Sequence, residues 1–264
     1  MIYFIIALIC FVASSVGAIV GIGGGVIIKP VLDSFKIMDV TVISFLSGIT
    51  VLCMSTYTVI KGKISGETKI NIPMAAAISI GAAIGGIIGK VIFSQIINTF
   101  NSGNAVGAVQ SICLFILTAI TLSYSLFRKR VHRFKIRSFP VAALLGFVLG
   151  VFSSFLGIGG GPINIMFLSV MFSFGIQTSA AYSLFIIMCS QISSLLWQIW
   201  RGTVPEFSIM LLVIMALCGI IGGVIGMCIK KHLKITKINA LFNIVLIVIM
   251  LICIYNYINY SSLI

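Results

Sequence analysis

Acidic side chains are almost missing from this chain. Asp33, Asp39, Glu67 and Glu206 are the four in 264 residues, each near the end of an apolar run. A cage for a divalent cation, which draws on several carboxylate oxygens, therefore has nowhere to form inside those runs, and a carboxylate proton relay has none either. Histidine is as scarce: His132 and His232 both sit in basic loops, so an intramembrane hydrolase would lack a base. The seven cysteines lie mostly in apolar runs with no CxxC and no paired spacing; they are core-filling thiols, not a disulfide framework or a metal site. Charge of either sign is sparse. Charged residues make up 8% of the chain, against about 25% in soluble domains, and the mean hydropathy is +1.27. A soluble globular protein is excluded.

What is there is hydrocarbon, in long blocks. From Ser138 to Trp200 no side chain is charged, a stretch equal to roughly 95 Å of helix at ~1.5 Å per residue, about three crossings of a ~30 Å core. Other uncharged runs cover 2–20, 41–60, 70–89, 105–127, 207–229 and 238–264. Strand-like alternation is weak, so the class is an all-α polytopic membrane protein. The opening run lacks the basic n-region of a signal peptide and is expected to belong to the fold. Seventeen basic residues would point to nucleic acid in a soluble protein, but thirteen of them fall in loops 61–69, 128–137 and 230–237. That is the positive-inside signal, and it places the three loops in the cytoplasm with no nucleic-acid partner.

The chain also repeats itself. GIGGGVIIKPVL at 21–32 returns as GIGGGPINIMFL at 157–168; Lys61-Gly62 is matched by Arg201-Gly202, and Gly85-Gly86 with Gly89 by Gly222-Gly223 with Gly226. Landmarks in constant order at near-constant spacing indicate a duplication: a first transmembrane repeat at 1–127, a basic cytoplasmic linker at 128–137 and a second repeat at 138–264. Each half reads as a Gly-linked short-helix pair or hairpin followed by three transmembrane helices. Three is odd, so the charge bias expects inverted-topology repeats; the rival is four spans per half in parallel, which would put the lysines of 230–237 outside. Paired halves are a common transporter design, with the substrate where they meet.

The segments after each glycine motif are short, about 26–36 and 162–174. Pro162 suits a first helical position, where a missing N–H costs nothing. Each GIGGG is therefore expected to break the membrane helix and start a new one. Gly23, Gly24 and Gly25, with Gly159, Gly160 and Gly161, would leave backbone N–H groups uncovered at a helix N-terminus, which favours an anion. Irregular backbone at that depth survives only inside protein or along a cavity. Three consecutive glycines exceed what packing needs, whereas GGIIG at 85–89 and GGVIG at 222–226 read as helix packing alone. No GK[ST] follows either motif, so a nucleotide loop is excluded.

Other polar residues have two readings. Lys29, one turn past Gly25, either neutralises the anion or snorkels to the interface. Asn164 offers a side-chain N–H near the matching turn. Gln191, Ser194 and Gln198 share a helical face that lines the pathway or ties helices together. Trp197 and Trp200 before Arg201 suit an interfacial belt.

These motifs, the duplication and the length together make the sequence similar to the sulfite exporter TauE/SafE family, also called the toluene sulfonate uptake permease family, over essentially the whole chain. GIGGGVIIKPVL, including Pro30, resembles the family's first motif. GIGGGPINIMFL resembles the second, with Met166 in the place of Pro30 and proline at 162 instead. The resemblance implies multi-pass bacterial plasma-membrane transport of a small sulfur-containing oxyanion, sulfite or an organosulfonate, and not an enzyme. The glycine breaks agree on the sign of the charge. The expectation is a secondary transporter or facilitator that binds its anion near the midplane, needs no cofactor or metal, and has H⁺ or Na⁺ open as a coupling ion. An anion channel, or a non-transport membrane subunit or enzyme, is the alternative.

Overall fold

The computed structural model describes residues 2–64, 71–100, 103–128, 130–136 and 138–262. Among the described residues there are ten helices and no strand: α1 (Ile2–Val20), α2 (Gly25–Phe35), α3 (Val40–Ile64), α4 (Ile72–Phe100), α5 (Gly103–Phe127), α6 (Phe139–Leu156), α7 (Gly161–Met171), α8 (Ile176–Trp200), α9 (Ile209–His232) and α10 (Ile235–Ser261). Eight of them, all but α2 and α7, are long and apolar enough to cross a membrane. The chain is an all-α polytopic membrane protein, as its composition requires. Four residues of the charge reading, Glu67, Lys69, Lys129 and Arg137, lie outside the described residues.

Apolar residues at i, i+4 spacing face outward. Ile80, Ile84, Ile88 and Ile92 form such a row on α4, and Leu217, Ile221, Ile225 and Ile229 form one on α9; they are the surface that lipid covers. The opposite faces of these two helices are lined with glycine. A Cβ on Gly85 or Gly89 would run into the carbonyls of Phe147 and Val151 on α6, and one on Gly222 or Gly226 into those of Phe11 and Ser15 on α1. Small residues let backbones approach where lipid supplies no hydrophobic drive, so GGIIG and GGVIG are packing devices, as read. Each half lends its first helix to the other: α1 packs on α9, α6 on α4, and α5 on α10.

Helix directions follow from these contacts. Phe11 and Ser15 meet Gly222 and Gly226 in the same order, while Thr50 and Met54 meet Gly219 and Gly223, so α1, α3 and α9 are parallel. α6 is parallel to α4 through the Gly85 and Gly89 contacts, and α8 is parallel to α4 through Tyr182 beside Asn71 and Ser190 beside Gly86. α8 opposes α3: Gly48 borders Gln191, and Met54 clusters with Leu184. Because α1 and α3 point the same way, α2 must run back between them, and α1–α2 is a hairpin. α6–α7 is its counterpart, entering from the opposite face. α1 and α6 therefore point in opposite senses, which is compatible with inverted halves. Beyond α6–α7, the linker lies along the end of α7, where Phe134 and Ile136 donate their N–H groups to Val170 and Met171 at 2.8 and 3.0 Å.

Candidate functional site

Glycine conformation sets the two hairpin tips. Gly21 and Gly23 have φ of 83° and 74°, and Gly157, Gly159 and Gly160 have 65°, 84° and 61°; a Cβ makes that region costly. The tips cross at the centre of the bundle. Gly23 and Gly159 each lie against both Val51 of α3 and Ile187 of α8. A Cβ on Gly161 would fall on the Ile22 carbonyl, and one on Gly25 would meet the Ile158 carbonyl. Pro162 occupies the first turn of α7, where a helix loses nothing by it. α2 and α7 are both 11 residues long, so Met166 in the place of Pro30 does not change the length of the second short helix.

Hydrogen-bond accounting shows what the breaks leave free. Among the described residues no acceptor meets the N–H groups of Gly23, Gly24, Gly25 and Val26, nor those of Gly160, Gly161 and Ile163. These are the orphan donors of a helix start. Serines crowd the same place. Ser47 donates to the Gly157 carbonyl at 2.9 Å, Ser183 to that of Gly161 at 3.4 Å, and Ser153 pairs with Ser190 at 3.0 Å. The hydroxyls of Ser14 and Ser44, bordering Gly24 and Gly157, have no partner, and neither has the buried Nε2 of Gln191. The neighbourhood of the breaks is rich in donors.

Charge enters from one side. Lys29 is 2% exposed and bonds Asp33, one turn on, at 2.9 Å. Its ammonium is held inside the protein and does not snorkel. Asp33 closes a short helix, as the sequence indicated, but that helix ends in protein: the carboxylate is 6% exposed. The place of Asp33 near a segment end was legible from sequence, and its burial inside the protein was not. A hairpin end can be a segment end without reaching water. Lys90, 3% exposed on α4, is the third buried charge; its ammonium sits over the Phe93 ring at 4.8 Å and within Coulombic reach of Lys29. Lys29 and Asp33 line a small cavity between α2, α5 and α10, shared with Gln110, Asn256 and Ile158.

Of the residues chosen from sequence, the six motif glycines gather at the crossing, Gln191 lies one turn along α8 from Ile187 and against Gly48 of α3, and Lys29 is one turn along α2. Asn164 is buried but turned to its own break: its Nδ2 reaches the Gly159 carbonyl only at 3.5 Å, and its Oδ1 has no partner. Ser194 and Gln198 bond to carbonyls of their own helix α8, and these bonds do not tie it to a neighbour. Arg201 stacks on Trp197, and Trp200 is exposed. Lys90 and the serines were missed. Lys90 did leave a signal, as the sole charge between Lys69 and Arg128; the serine pairs 14–15 and 153–154 precede both motifs.

Comparison with known proteins adds a lineage. The family model described as sulfite exporter TauE/SafE matches residues 6–252. The chain is 26% identical to the "probable membrane transporter protein YunE" of Bacillus subtilis (strain 168), over 94% of this chain and 96% of that relative. No solved structure matches.

Proposed function

The chain belongs to the sulfite exporter TauE/SafE family and is a multi-pass membrane transporter; we propose that its cargo is a small sulfur-containing oxyanion, sulfite or an organosulfonate. One observation carries the reading. Among the described residues the buried interior holds two lysines against one aspartate, and an unbalanced ammonium inside a membrane protein is costly. A bound anion removes that imbalance. It would sit where the hairpin tips cross, taking N–H donors from Gly23, Gly24 and Gly25 on one side and Gly160 and Gly161 on the other, with Gly159, whose own N–H donates to the Ser153 carbonyl at 3.4 Å, shaping the second break. Gln191 and Asn164 add amide N–H groups, with Lys29 and Lys90 as counter-charges. A trio of sulfonate or sulfite oxygens suits such convergent donors and two helix N-termini.

Transport requires the tips to part. With Gly25 and Gly161 against the opposing isoleucine carbonyls, the crossing has no room for an anion until one half moves against the other, as alternating access demands. Purified protein should be reconstituted and currents recorded on a solid-supported membrane for sulfite, sulfoacetate, thiosulfate, taurine, phosphate and chloride. A saturable response to sulfur oxyanions that Lys29→Met abolishes is expected. Chloride currents at channel rates would replace this reading with a channel. Silence there and in isotope counterflow would leave the glycines a purely structural role.

A further inference from the structure

Three residues that line the cavity beside Lys29, among apolar neighbours such as Leu114, Leu156 and Ile158, carry buried oxygens without a hydrogen bond, a set of acceptors that suits a cation. Two amides decide this. Gln110 donates its Nε2–H to the Phe155 carbonyl at 2.7 Å, and Asn256 its Nδ2–H to the Pro30 carbonyl at 2.8 Å. A carbonyl can only accept, so these bonds fix which end of each amide is nitrogen. The other ends, Gln110 Oε1 and Asn256 Oδ1, are buried acceptors that no donor meets; Asp33 Oδ1 makes no hydrogen bond either, although the Tyr260 hydroxyl lies within electrostatic reach of the same carboxylate. All three residues line the one cavity, each less than a tenth exposed.

Buried acceptors left unmade are destabilising, and the ways of satisfying three at once are few. A proton on Asp33 gives one O–H, enough for one amide oxygen. A water brings two protons. A metal ion ligates every oxygen around it. One carboxylate and two amide oxygens are hard ligands with a single negative charge, too little for a divalent ion, whose sites gather more carboxylates. We propose that this cavity binds a sodium ion, on Asp33, Gln110 and Asn256, that is carried with the anion.

The coupling part of this inference rests on the anion-transport reading. Lys29 holds Asp33 in the structure, with Lys90 close enough to repel it. An anion at the crossing draws Lys29 toward itself and leaves a buried carboxylate unpaired. Sodium then takes the place of the ammonium. For a dianion such as sulfite the charges close: two lysines and one sodium balance Asp33 and the two charges of the substrate. Neither ion fills the interior favourably alone, which is the condition for coupled movement.

Sodium binding can be tested without any anion, by thermal unfolding of the detergent-solubilised protein in NaCl against KCl and choline chloride at equal ionic strength. Lys29→Met removes the competing ammonium and should bind Na⁺ at least tenfold more tightly than wild type, seen as a saturable rise in melting temperature. Lys29→Met/Asp33→Asn, which buries no charge at this pair, should show none. If Lys29→Met does not fold, wild type carries the test with sulfite present at a fixed concentration, where Gln110→Leu and Asn256→Leu should each weaken Na⁺ stabilisation about tenfold. Equal effects of the three salts, a Na⁺ effect that survives Asp33→Asn, or stabilisation by acid with none by Na⁺ would overturn the site. Na⁺ binding without sulfite transport would instead sink the anion reading and leave the cation site standing. In proteoliposomes, sulfite uptake that is indifferent to a Na⁺ gradient would refute the coupling.

Discussion

The two glycine breaks share a backbone and differ in chemistry. Each starts an 11-residue helix, each lies against Val51 and Ile187, and each has a glycine on the other's isoleucine carbonyl. Yet the first break carries Lys29, Pro30 and Asp33, where the second has Ile165, Met166 and Ser169. Among the described residues the buried charges are Lys29, Asp33 and Lys90, all in the first half of the sequence. Contacts between crossing backbones constrain both copies equally, because a Cβ in either one collides with the other. Side chains around a single substrate are under no such demand. Counter-charges for one bound anion need not be duplicated, and one copy can supply them.

The largest expected effect treats the breaks as equals. Gly25→Val and Gly161→Val should both prevent assembly, since each puts a side chain on a fixed backbone carbonyl, beyond the ~1–3 kcal/mol of ordinary overpacking. Size-exclusion profiles and thermal unfolding would read this. If one of the pair gave a stable monodisperse protein, the crossing would not be mutual.

Charge should separate the halves. Lys29→Met leaves Asp33 buried and unpaired, a loss of about 3–5 kcal/mol in comparable cases, and should abolish sulfite uptake. Adding Asp33→Asn should restore the melting temperature without restoring uptake. Placing a lysine in the other copy, with Ile165→Lys in the double variant, should not rescue it either. Rescue would mean that the halves are interchangeable around the anion. Lys90→Met is gentler: it removes an ammonium with no carboxylate of its own, so stability should hold or rise while KM increases about tenfold, the worth of a charged hydrogen bond of ~1.4 kcal/mol.

This division tracks what a sequence displays. Hydrocarbon runs and basic loops are one-dimensional signals, and α1 covers the uncharged run 2–20 to the residue. Duplicated glycines announced two helix breaks, since no other residue takes φ near +60° to +84° so cheaply. The direction of α2 could not be read. Whether a short helix runs on or turns back depends on contacts such as those of Gly222 with Phe11, made across more than two hundred residues. Asp33 shows the consequence: its distance from an apolar run was legible, but its depth was set by the hairpin. Lys90 was visible as a lone charge, although nothing in the sequence tied it to Lys29. Gln110 and Asn256 carry no motif, and they acquire meaning only through the carbonyls that pin them.

The smallest expected effect probes the second break alone. Asn164 stands where the first copy has Ile28, so it is the polar side chain that break 2 has and break 1 lacks at this place. Its long 3.5 Å contact to Gly159 contributes little, and its unpartnered Oδ1 is itself a cost. Asn164→Ala should therefore leave the stability within about 1 kcal/mol of wild type, read by thermal unfolding. If its amide turns to the anion when the tips part, one hydrogen bond of ~0.5–1.5 kcal/mol is lost, a rise in KM of roughly two- to tenfold with kcat unchanged. An unchanged KM would place the second break's whole contribution in its backbone N–H groups. A fall in kcat without a change in KM would assign Asn164 to the opening of the tips. Either result separates a break that recognises its substrate through a side chain from one that does so through glycine alone.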